Sequence, residues 1–239
     1  MSVPTACPQG VALRAPPEQT RRKDALKWHG QTVVEAIKGV ALLLPEISLA
    51  ILLFVTASLL PGGMMTQHML AHIVLMNVAA PVIAWGLIRS QILFDKRNGP
   101  APSLGIATCI QLAAFFFWHS PQGMAASMES PIVRSIAMGS LFGAAAWFWL
   151  CVLLSIRQGK LLAIAALMLT GKLVCLVAAI LVFAPRLLYP GMPSGTPAMD
   201  DQQLAGLIML TACPLTYVGA SIAVTAQWFN DLSKPAGAE

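Results

Sequence analysis

The segment Met64-Met65-Thr66-Gln67-His68-Met69-Leu70-Ala71-His72 opens a long apolar run that continues to Ile88. On a helix, positions i, i+3, i+4 and i+7 share one face. That spacing puts Met65, His68, Met69 and His72 in a single stripe. Thioether sulfur favours Cu(I), and imidazole accepts copper, zinc or iron. The competing account is structural: methionine fills gaps between helices, and each histidine hydrogen-bonds a neighbouring carbonyl. The spacing alone leaves both accounts open. Either way the run reads as a helix of membrane length, and the rest of the chain repeats the pattern.

Of 239 residues, 57% are hydrophobic and only 10% are charged, against about 25% charged in soluble domains. This composition predicts an all-α, polytopic membrane helix bundle. Crossing the hydrocarbon core takes about 20 apolar residues, and six segments approach or exceed that length: 40–60, 65–88, 103–118, 132–156, 161–184 and 203–229. The expected organisation is a basic tail over 1–38, a transmembrane bundle over 39–230 and a short C-terminal tail over 231–239. Within the first tail, Arg21–Lys38 has the makings of an amphipathic helix lying on the membrane surface. The prolines and charges before it leave no apolar core for a cleavable signal peptide.

Charge sets the expected orientation. With the N-terminus inside, twelve Lys and Arg fall on cytoplasmic segments, and only Arg134 and Arg186 fall outside. Lys172 lies within a span, as does Glu46, and the two are expected to pair. The positive-inside rule therefore predicts cytoplasmic termini. The basic residues lack interleaved aromatics, so nucleic acid is not an expected partner. Five cysteines, none in a CxxC pair, suggest neither a disulfide framework nor a dithiol shuttle.

Orientation sharpens the reading of the histidines. His68 and His72 begin the second span, His119 ends the third, and Asp200-Asp201 precede the sixth. All of them fall at the outer face. A convergence of this kind favours a metal or cofactor site there over scattered packing roles. Asp201 has its own simple explanation as a helix cap, and Met209, two turns further on, as packing. Three His without Cys suit copper, and zinc remains open. No HExxH pattern points to a hydrolytic zinc.

Three stretches taken together resemble the membrane-integral CtaG-type cytochrome c oxidase assembly factors. They are Met65-Thr66-Gln67-His68-Met69-Leu70-Ala71-His72 with Ala80-Pro81, Trp118-His119-Ser120-Pro121, and Asp201-Gln202-Gln203-Leu204-Ala205-Gly206-Leu207-Ile208-Met209. The resemblance extends over roughly Leu43 to Trp228. It departs at Ala80, where the family often has proline, at Leu210, where it has tryptophan, and in helix number, often seven. It implies a role in maturing a haem-copper oxidase in the bacterial inner membrane, through copper binding or delivery at the outer face. The residues it carries to that site are His68, His72, His119 and Asp201, with Met69 and Met209 as weaker additions; Met65 joins the candidates from its place in the helical stripe. Oxidase subunits and membrane lipid are the expected partners, and self-association into a homo-oligomer stays open. No catalytic residue is expected. A b-type haem or quinone-reactive subunit is the alternative, with His119 and one of the helical pair as axial ligands. A structural subunit of a respiratory complex is the third reading.

Overall fold

A computed structural model describes residues 43–56, 62–90, 103–156, 159–189 and 197–233, with 38, 41 and 59 besides. The regular structure among those residues is all helical, with no strand among them. In chain order the helices are α1 (Leu43–Thr56), α2 (Met64–Ile73), a π-helical turn (Val74–Ala79), α3 (Ala80–Ser90), α4 (Leu104–Trp118), α5 (Pro121–Glu129), α6 (Pro131–Ser155), α7 (Lys160–Phe183) and α8 (Ala198–Leu232). The continuous run Met64–Ser90, α6, α7 and α8 are each long and apolar enough to cross a membrane. Helices α4 and α5 make a fifth span if the bent pair counts as one. The expected first span, 40–60, appears among the described residues only as the shorter α1. The surface helix expected over Arg21–Lys38 lies, apart from Lys38, outside them.

Helices α7 and α8 pack along their lengths, α6 lies against α3 and α4, and α2 lies against α8. Small residues permit the close approaches. A Cβ on Gly206 would meet the Val182 backbone nitrogen at 2.9 Å, and one on Gly171 would meet Tyr217 Cβ at 3.1 Å. Without a hydrophobic drive between helices in lipid, such backbone proximity is what gives dispersion its reach. At the far end of the same pair, Lys160 and Asp231 form an ion pair. The ion pair expected between Glu46 and Lys172 does not form. Lys172 is exposed on α7, while one carboxylate oxygen of Glu46 is buried without a partner. Its side chain packs beside Gly86 on α3.

Two irregularities position the functional end. The first is the widened turn at Val74–Ala79. In the wide turn the Met76 carbonyl would take its donor five residues on, from Pro81, which has no N–H to give. The Met76 carbonyl instead accepts the indole N–H of Trp149 at 3.1 Å. The second is the 69° bend between α4 and α5. Here His119 leaves the helix at φ −90°, ψ 0°. Ser120 then caps α5 by accepting from the Gly123 N–H at 3.1 Å, and Pro121 takes the first helical position, where no donor is needed. Only glycine fits at 123, because a Cβ there would stand 2.3 Å from the Phe117 carbonyl oxygen.

Candidate metal centre

The stripe of α2 faces inward as its spacing predicts: Met65, His68, Met69 and His72 are all buried. His68 and His72 bring their Nε2 atoms to 2.8 Å, with ring centroids 4.4 Å apart. One nitrogen donates and the other accepts. His119, at the α4–α5 corner, sets its ring centroid 5.5 Å from that of His72 and packs on Phe115 at 4.0 Å. The structure thus brings together three histidines from two segments about fifty residues apart. Among the described residues, no group of three or more His, Cys, Asp or Glu is close enough to enclose an ion. The arrangement is a hydrogen-bonded pair with a third ring beside it.

The protonation of His119 follows from its partners. Its Nδ1 lies 2.8 Å from the Phe115 carbonyl oxygen, which can only accept. Nδ1 therefore carries the proton, and in the neutral ring Nε2 presents a bare lone pair. That nitrogen is buried and has no partner, as is His72 Nδ1. An imidazole held through one N–H by a carbonyl, with its other nitrogen free, is the form in which histidine binds metals. The corner is held from outside as well. The Tyr189 hydroxyl donates to the His119 carbonyl at 2.7 Å, and burial pushes the Tyr189 pKa up to about 12.

Asp201 is placed differently from a capping residue of its own helix. Its carboxylate reaches across to the start of α2 and accepts from Met65 N at 3.0 Å, Thr66 N at 3.1 Å and Thr66 Oγ1 at 2.6 Å. Gly63 precedes α2 and offers no side chain as a cap, and a Cβ on it would lie 2.1–2.4 Å from the Asp201 carboxyl atoms. The carboxylate thus fills the space a side chain would have taken, and it meets the positive end of the α2 dipole. Its role is to fix the helix that carries both paired histidines.

The histidine pair separates two spaces. On one side is an open recess of about 170 Å³, lined by Met64, Gln67, His68, Met128, Arg134 and Met138. On the other is a cavity of about 10 Å³ whose lining includes His72, His119, Met69 and Met209. Met65 lines neither and packs in the core. The cavity also takes in Met76 and Cys213, which the sequence reading passed over. Their signal was the same helical arithmetic carried one turn further: Met76 follows His72 by four residues, and Cys213 follows Met209 by four.

Neither a curated protein nor a solved structure matches the chain. The family model of the cytochrome c oxidase caa3 assembly factors matches residues 103–231. That range takes in the His119 corner, Asp201 and Met209, while His68 and His72 lie upstream of it. Because the match covers more than half of the sequence, from α4 almost to the end of α8, the chain belongs to the cytochrome c oxidase caa3 assembly factor family.

Proposed function

We propose that this assembly factor acts by receiving copper at the outer face of the bacterial inner membrane and making it available to a haem-copper oxidase during maturation. The observation that carries the reading is the buried His68–His72 pair beside His119, whose Nε2 has no partner. Burying a polar nitrogen unpaired costs free energy, and a ligand that uses its lone pair removes that cost. Two imidazole nitrogens about 2.0 Å from a tetrahedral ion stand about 3.3 Å apart. The pair need therefore open by only about half an ångström to admit a metal between its nitrogens. Copper enters here as cargo, and the chain's own part is to present neutral imidazoles in fixed orientation. Asp201 contributes by anchoring α2, and Met69 and Met209 by adding soft sulfur that favours the cuprous ion.

The orientation belongs to the same proposal. The twelve-to-two charge asymmetry puts both termini in the cytoplasm, in a bundle of six spans. The histidines and the open recess then face outward, where oxidase subunits would be met. The test is the copper content of the oxidase isolated from a strain lacking this chain. The expected result is oxidase polypeptide made at normal level but deficient in copper, with activity partly restored by added copper. Full copper occupancy in that oxidase would refute a role in copper supply.

A further inference from the structure

We infer that the cavity beneath the histidine pair is a sulfur-rich Cu(I) site, whose ligands are drawn from Cys213, the thioethers of Met69, Met76 and Met209, and one of the two imidazoles His72 and His119. The inference rests on the copper reading above and extends it to residues and a valence that the outer histidines do not specify. All six side chains line one cavity, and all six are buried. Four soft sulfurs border this one space. Two independent features point to a ligand. His119 Nε2 and His72 Nδ1 are buried nitrogens without partners on rings that line this space. The Asn77 amide also donates to Cys213 Sγ at 3.4 Å, an N–H aimed where thiolate charge would develop.

Size and charge narrow the occupant. The space amounts to about 10 Å³, that of a single water, so an ion held among these side chains would shed most of its hydration shell. Ions with tightly held water, such as Mg(II), are thereby disfavoured. A cation buried among apolar helices is costly unless its charge is matched. On binding, the Cys213 thiol loses its proton and the sulfur bonds the metal, so one proton leaves as one Cu(I) enters. The result is a neutral Cu(I)–thiolate unit with thioether and imidazole donors around it. A divalent ion in the same place would keep an uncompensated positive charge.

The π-helical turn is the local device that builds this site. In an unbroken α-helix Met76, four residues past His72, shares the His68–His72 face, but Asn77 would be rotated away from it. Widening the helix over Val74–Ala79 lets Met76, Asn77 and His72 line the same space. Wide turns of this kind often mark functional positions. Here the Trp149 indole bonded to Met76 O stabilises it.

X-ray absorption at the copper edge, on the detergent-purified full chain loaded with one equivalent of Cu(I), tests the inference. Both sulfur and nitrogen neighbours are expected, with about one proton released per copper bound. Met76→Leu, which conserves volume, combined with Cys213→Ala should diminish the sulfur signal. It should also weaken Cu(I) binding by at least roughly 100-fold, beyond the range typical of outer-shell losses. A shell of nitrogen and oxygen alone in the unmodified protein overturns the sulfur site and leaves the histidine reading standing. Failure of the unmodified protein to bind Cu(I) at all overturns both.

Discussion

The recess outside the histidine pair and the cavity inside it use the same residue types for different ends. Methionine and histidine line both. The recess is open, about 170 Å³ in volume, and holds the guanidinium of Arg134. That group is itself engaged, with Nε donating to the Ser127 carbonyl at 3.3 Å. The cavity is smaller, about 10 Å³ in volume, and lined by no residue with a permanent charge. Size and charge, more than donor identity, therefore separate the two spaces. His68 belongs to the first and His72 to the second, and their nitrogens are 2.8 Å apart.

Breaking the comparison altogether requires breaking α2, whose first turns carry the boundary. Gly63→Ala should do so with the largest effect. The added methyl would overlap the Asp201 carboxylate, and three hydrogen bonds to a charged acceptor would be lost. Such bonds contribute about 1.5–3 kcal/mol each, so a loss on the order of 3 kcal/mol or more is expected, read as a lower melting temperature in detergent. Both spaces should lose their shape together. A Gly63→Ala protein that melts with the unmodified chain would show that the carboxylate does not hold this helix.

Sharpening the comparison calls for a change on one side only. Trp149→Phe removes the indole N–H that satisfies Met76 O and leaves a buried carbonyl unpaired, at a cost of about 1–3 kcal/mol. The inner cavity should loosen while the cap at Met65 and Thr66 stays intact. The expected signature is weakened Cu(I) binding with hydrogen exchange at the α2 N-terminus unchanged. Faster exchange at both ends would mean that the two regions are not separable.

These residues also show what could be read from the chain and what could not. The stripe Met65, His68, Met69 and His72 was legible because helical period alone decides it. His-Ser-Pro at 119–121 was legible as the end of a span, since proline forces a new start. The Asp201 cap was not, because no local rule ties a carboxylate to amides 135 residues earlier in the chain. Only packing of α8 on α2 creates that contact, and Gly63 shows the space left for it. Met76 and Cys213 were within reach of the same period, each four residues past a residue of the site. Asn77 was not, because only the π turn before Pro81 brings it to that space. Glu46 and Lys172 show the reverse error: two opposite charges in apolar segments suggested a pair, but exposure of Lys172 on the outer side of α7 separates them.

The central claim is that the buried histidines of α2 and of the α4–α5 corner bind cuprous copper. It is tested most directly by titrating the detergent-purified protein with Cu(I) against a competing chelator. The unmodified chain is compared with the triple variant His68→Ala, His72→Ala, His119→Ala. The account predicts that the triple variant loses affinity by at least roughly 100-fold, since removing the nitrogens themselves should cost more than removing outer-shell partners. Equal affinity in the two proteins would contradict it.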